Sequence, residues 1–156
     1  MDRFLSHFTN RIDAKGRVSA PAPFRQALTL DGFEGVFATP ALDVPALDCG
    51  GRALLAEIEA LLATTPVYSP QRDALATALY GASAILRMDA EGRIVLDEAA
   101  KTRLGVTDAA VFVGLGHKFQ IWAPARFAAH LEEARARLRS LRAEVGLAAA
   151  TGASPP

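Results

Sequence analysis

The sequence predicts an α+β fold built from one small unit used twice, with helices between and after the copies. Three observations lead there. The pentapeptide Asp13-Ala-Lys-Gly-Arg17 returns as Asp89-Ala-Glu-Gly-Arg93, 76 positions later (89 minus 13). At that constant offset Arg11 meets Arg87 and Leu28 meets Leu104, with similar residues at Ile12/Met88, Val18/Ile94 and Arg25/Lys101. Around each copy lie apolar runs of strand length, whereas long amphipathic stretches are confined to the middle and end of the chain. Two copies are too few for a stacked solenoid, which needs three or more, so the repeat marks a duplicated half-domain.

The first copy opens with "SHFTNRI" (6–12), an extended run. Asp13 to Gly16 then supplies the Asp and Gly that a tight turn selects, and "RVSA" (17–20) resumes the extension, so the segment reads as a hairpin. Gly16 provides the positive φ of that turn, as Gly92 does in the second copy. "PAPFRQAL" (21–28) reads as a short helix with Pro23 in its first turn, followed by the strand "GVFATP" (35–40). The second copy repeats the order: "ASAILRM" (82–88), a turn at Asp89 to Gly92, "RIVL" (93–96), and a helix over "DEAAKTRLGV" (97–106) with Asp97 as N-cap. It ends on "AVFVGLGHKFQIWAP" (110–124), long enough for a hairpin turning at "GLGH". Such a pattern leaves little room for a parallel crossover sheet.

Between the copies, "GGRALLAEIEALLA" (50–63) places Leu54, Leu55, Ile58, Leu61 and Leu62 at helical spacing, which predicts an amphipathic helix. "PQRDALATALYGA" (70–82) predicts another. A third, over 124–146, has Phe127, Leu131, Leu138 and Leu141 on a broad face and Glu/Arg pairs elsewhere. The closing residues 147–156, "LAAATGASPP", are mostly small and end on two prolines, which predicts a disordered tail.

Composition bounds the function. At 156 residues and 51% hydrophobic the chain can fill a core, and 17 Lys plus Arg balance 17 Asp plus Glu. No global basic field exists, so any nucleic-acid contact must be local. No stretch approaches the roughly 20 apolar residues of a membrane span, and no apolar leader is present, so the chain reads as soluble and cytosolic. The lone Cys49 can form no internal disulfide and reads as an inert thiol; no metal set, cofactor motif or small-molecule substrate is expected.

Charge is nevertheless segregated. Residues 1–25 hold Arg3, Arg11, Lys15, Arg17 and Arg25 against Asp2 and Asp13, five minus two, whereas residues 87–103 hold four of each sign. A guanidinium at a turn can grip a phosphate or a guanine edge through two hydrogen bonds, and Lys15 adds a point charge. Glu91 takes the place of Lys15 in the second copy and would repel phosphate. Asp13 and Asp89 are expected to hold their turns or orient Arg17 and Arg93. The same residues allow another reading, in which Arg11, Arg17, Arg87 and Arg93 pair with Asp13 and Asp89 and bridge the two halves. Arg25 and Lys101 read as solvated surface.

Taken together, "RIDAKGRVSAPAPFRQAL", "RMDAEGRIVLDEAAKTRLGV" and "VFVGLGHKFQIWAPARF" resemble the MraZ family over residues 4–135. The resemblance implies a duplicated AbrB-like core of swapped hairpins with pseudo-twofold symmetry and flanking helices. It implies half-domains over 4–49 and 82–125, connecting helices over 50–81, a C-terminal helix over 126–146 and a tail over 147–156. It further implies a ring-forming, nucleoid-associated transcriptional regulator that binds repeated boxes of double-stranded DNA upstream of the division and cell-wall genes. Carried over residue by residue, the DNA-facing surface falls on Asp13 to Arg17 and Asp89 to Arg93; with the local charge excess this makes Arg17, Lys15, Arg93 and Arg11 the candidate DNA contacts, with Asp13, Gly16, Asp89 and Gly92 supporting the turns. Three places depart from the family pattern: Asp97 stands for a proline, "PALDCGGR" (45–52) replaces an aromatic-bearing segment, and Gln120 stands for an acid.

Two rivals carry different chemistry. An enzyme is disfavoured because His7, His117 and His130 lie far apart, without Ser or Asp in a recognisable order, and "GLGH" is a turn rather than a phosphate cradle. An antitoxin-type or other protein-interaction module ordinarily has one copy and a long partner-wrapping tail; here there are two copies and about ten tail residues.

Overall fold

The computed structural model describes residues 3–150. The chain divides into two compact units, Met1–Pro124 and Ala125–Pro156. In the first, the described residues form β1 (His7–Arg11), β2 (Arg17–Ser19), α1 (Ala22–Asp31), β3 (Val36–Pro40), β4 (Leu47–Gly50), α2 (Arg52–Leu62), α3 (Pro70–Ala76), β5 (Ala84–Leu86), β6 (Arg93–Val95), α4 (Glu98–Leu104), β7 (Ala109–Gly114) and β8 (Phe119–Trp122). A π-helical turn, Thr77–Gly81, extends α3. The class is mixed α and β with antiparallel pairing throughout.

The strands beside each turn do not form the simple hairpins that the sequence predicts. β1 and β2 belong to different sheets, linked by the bridge of Ile12 to Val18 and by Asn10 Nδ2 donating to the Ser19 carbonyl at 2.8 Å. A six-stranded sheet runs β1-β7-β8-β4-β3-β5, and β2 pairs with β6 in a separate ribbon. The leading strand of each copy thus lies against the trailing strand of the other, β1 on β7 and β5 on β3. The reason is burial. Val18 and Ile94 are the buried residues of two three-residue strands, and such short strands gain a covered apolar face only from each other. Exchanging the copies reverses the sheet order onto itself. It does the same for the ribbon, whose register is Arg17 to Val95, Val18 to Ile94 and Ser19 to Arg93.

One core spans both copies. Phe24, Leu28, Val36, Ile94, Leu104, Phe112, Phe119 and Ile121 are each 0 or 1% exposed and belong to a single cluster. A smaller cluster on the opposite face of β3 joins Phe37 to Leu54, Ile58 and Leu62 of α2. The buried stripe of α2 is narrower than predicted, because Leu61 is exposed. Asp97 caps α4, its carboxylate accepting the Ala100 amide at 2.8 Å.

Strand β4 occupies the segment that departs from the family pattern, and the sequence did not reveal it. Asp48 breaks its apolar run, yet that carboxylate is almost buried and satisfied by β8 and the turn before it. Gln120 Nε2 donates to it at 2.8 Å and Lys118 Nζ at 3.2 Å, while Trp122 Nε1 donates to Gln120 Oε1 at 2.9 Å. Burial, then the Asp48 charge, pushes the neighbouring Cys49 thiol well up, which keeps it protonated.

In the second unit, α5 (Pro124–Ala150) runs past the boundary at 146, so the first four residues of the expected tail are helical; 151–156 lie outside the described residues. Leu138 and Leu141, expected on a packed face, are exposed. No described helix is long and apolar enough to cross a membrane.

Candidate nucleic-acid interface

Each repeated pentapeptide folds into the same closed loop. The Asp13 amide donates to the Arg17 carbonyl at 2.9 Å and the Gly16 amide to the Asp13 carbonyl at 3.0 Å; Asp89, Gly92 and Arg93 repeat both bonds at 2.9 and 3.0 Å. The carboxylate of Asp13 then works twice. Its Oδ1 accepts the Lys15 and Arg17 amides at 2.9 and 2.8 Å, and its Oδ2 accepts Nε of Arg17 at 2.6 Å. Asp89 holds Glu91 and Arg93 in the same way. Donation from the Arg17 backbone, with its side chain and the Lys15 amide behind it, holds Asp13 below the ordinary 3.8, and the matching donors do so for Asp89. A depressed folded-state value means that this support is complete above about 3.8 and fades as pH falls.

These ion pairs lie within each loop, between residues four apart, and do not bridge the halves. The bridging is done by backbone: Leu96 donates to the Gly16 carbonyl at 2.8 Å and Ala20 to the Gly92 carbonyl at 3.0 Å. Arg25 also contributes. Expected as solvated surface, it instead lies half-buried beneath the second loop, with Nη1 donating to the Glu91 carbonyl at 3.3 Å.

The ribbon decides what the arginines can do. Side chains alternate faces along a strand. With Val18 and Ile94 turned into the core, Arg17, Ser19, Arg93 and Val95 share the outer face. Arg17 and Arg93 are two residues apart along it, roughly 7 Å at the usual rise per residue. Asp13 lies close enough to be among the charges that favour protonated Arg93, after the hydrogen bond and charge of Asp89 and the charge of Glu91.

The two arginines are not equivalent. Arg17 pairs through Nε alone, and among the described residues no hydrogen bond engages its terminal nitrogens. In the second loop Glu91 comes within 3.2 Å of Nη2 of Arg93 and neutralises that end of the fork. Lys15, at the position matching Glu91, is exposed. Arg11 ends β1 opposite Ala109, exposed and two residues ahead of the first loop.

Gly16 and Gly92 both have positive φ, +79 and +77°. A Cβ on Gly16 would meet the Leu96 carbonyl oxygen at 2.5 Å, a backbone atom, whereas on Gly92 it would meet the movable Arg25 side chain. Gly16→Ala is therefore expected to destabilise by more than the ~1–2 kcal/mol of the left-handed conformation alone, and by more than Gly92→Ala. Paired urea titrations check the ranking.

Two matched turns thus set Arg17 and Arg93 on the outer face of one two-stranded ribbon. The family model described as "MraZ protein, putative antitoxin-like" matches residues 79–145. The chain is 54% identical to the "Transcriptional regulator MraZ" of Methylocella silvestris over 156 residues, which is all of this chain and 95% of that protein. It is 55% identical to the one of Beijerinckia indica over 157 residues, all of this chain and 96% of that protein. Against the one of Azorhizobium caulinodans it is 56% identical over 146 residues, 94 and 93% of the two chains. The chain belongs to the MraZ family.

Proposed function

We infer that the protein is a transcriptional regulator that binds double-stranded DNA through the outer face of the β2–β6 ribbon. A two-stranded ribbon fits the major groove. The observation that carries the reading is the end of Arg17, whose terminal nitrogens no hydrogen bond engages among the described residues while Asp13 holds Nε, with the exposed Lys15 beside it in the loop. Arg93 and Arg11 extend the contact, and Asp13, Gly16, Asp89 and Gly92 keep the loops in shape. The crossed strand pairing and self-matching ribbon register support the duplicated AbrB-like swapped-hairpin core, with half-domains over 4–49 and 82–125 about a pseudo-twofold axis.

One ribbon offers only a few phosphate contacts, and each contributes a slope of about 0.9 in log K against log salt. Such binding is weak and salt-sensitive. A homo-oligomeric ring that sets several ribbons on successive boxes makes later contacts effectively intramolecular, worth about 10²- to 10⁴-fold in avidity. We therefore place the protein in the cytoplasm on the nucleoid, as a ring reading repeated boxes upstream of its own division and cell-wall cluster. The antitoxin-type alternative has the wording of the family model in its favour; a stoichiometric toxin co-purifying with the chain would establish it.

The test is a gel shift on DNA from upstream of the gene, with one box and with several. Multi-box DNA is expected to bind far more tightly, and equal, weak binding to any sequence overturns the reading. Glu91→Lys, which gives the second loop the charge of the first, should tighten binding and steepen the salt slope by about 0.9 for each phosphate gained.

A further inference from the structure

Exchanging the copies carries one part of the core onto a part with different contents. On one side Phe8, Phe24, Phe112 and Phe119 form a continuous aromatic cluster. Ring centroids are 5.6 Å apart for Phe8 and Phe24, 5.0 Å for Phe24 and Phe119, and 6.1 Å for Phe112 and Phe119. The constant offset of 76 sets Ala84 in the place of Phe8 and Ala100 in that of Phe24. Strand register supplies the other two. Phe112 is the partner of Phe8, and Ala38 is the partner of Ala84. The pair Cys49–Phe119 answers to Ile121–Leu47, which puts Leu47 in the place of Phe119. Four phenylalanines are thus matched by three alanines and a leucine.

The missing volume is not refilled. Ala38, Leu47, Ala84 and Ala100, the four substituted positions, line a cavity of about 200 Å³. Leu86 and Leu96 add apolar wall, and Asp97 and Arg103 add charge. The cavity is a half-open groove: Ala84, Val95, Asp97 and Arg103 among its lining residues are exposed, whereas Phe24 in the other half is fully buried. An engineered apolar cavity of roughly 150 Å³ binds benzene, whereas pockets for drug-sized ligands run to about 300–1,000 Å³. The size therefore suits one ring.

We propose that this cavity, between α4 and the β3–β5 edge of the sheet, is a binding site for a small single-ring aromatic molecule. The ring takes the place that Phe24 fills in the other half, where the same backbone frame accepts aromatic neighbours at 5.0–5.6 Å. A polar substituent is accommodated toward Asp97, whose carboxylate already faces the Ala100 amide, and toward Arg103.

Phenol serves as the probe, titrated into the full-length ¹⁵N-labelled protein with amide shifts followed. Saturable shifts at Ala84, Leu86 and Ala100, with Phe8 and Phe24 unmoved, are expected. Ala100→Phe, which installs the counterpart of Phe24, should weaken the probe roughly tenfold or more, a step of one decade in Kd. Ala84→Leu fills less volume and carries the same test should Ala100→Phe not fold. Shifts that never saturate, that spread over both halves, or that persist at equal affinity in the filled variant overturn the proposal. The readout does not involve DNA, so its failure leaves the regulatory reading intact.

Discussion

Arg17→Ala is expected to abolish promoter binding at physiological salt while circular dichroism and oligomer size stay as in the wild type. A bidentate arginine contact to a base contributes about 1–3 kcal/mol, and the substitution removes it from every subunit at once. With only two ribbons engaged the loss is about 2–6 kcal/mol, which at ~1.4 kcal/mol per decade is a factor of roughly 30 to 10⁴. The fold should not notice. The loop remains closed by the two backbone bonds between Asp13, Gly16 and Arg17, with Asp13 still accepting the amides of residues 15 and 17. Arg93→Ala should cost less, because Glu91 already occupies one end of that fork. Equal affinity of Arg17→Ala and wild type in a salt-matched shift assay sinks the site assignment.

What could be read from the sequence was what is decided locally. Asp13 and Gly16 announce a turn because Asp bonds its own following amides and Gly accepts positive φ. Asp97 announces a helix start for a similar reason, and the capping bond is present. Which strand pairs with which is not local. Neither "RVS" nor "RIV" says that its partner lies 76 residues away, because pairing is set by how Val18 and Ile94 cover each other in the assembled core. Strand β4 was hidden by Asp48, whose burial makes sense only once Lys118 and Gln120 are beside it. Arg25 follows the same logic. Charge on a short helix reads as surface, and only the crossed topology lays the second loop over it. Ala84 and Ala100 stand at the constant offset from Phe8 and Phe24, but Ala38 and Leu47 match Phe112 and Phe119 only through the strand register.

Phe24→Ala should open in the first half the kind of hole that the second half already contains, and its cost tests whether the halves share one core. Phe24 is fully buried, and its ring meets Phe4 at 5.4 Å, Phe8 at 5.6 Å and Phe119 at 5.0 Å. Truncation of a buried phenylalanine costs about 3–5 kcal/mol, and three aromatic neighbours place this one toward the upper end. Since Phe119 lies on β8 of the other copy, the damage crosses between halves. Unfolding should remain a single cooperative transition, moved to lower urea with an unchanged slope and lower in Tm by roughly 10 °C. Two separate transitions would mean that the copies fold independently and merely touch. The crossed strands argue otherwise: neither β1 nor β5 has a sheet partner within its own copy, so neither half can keep its leading strand once the other has melted.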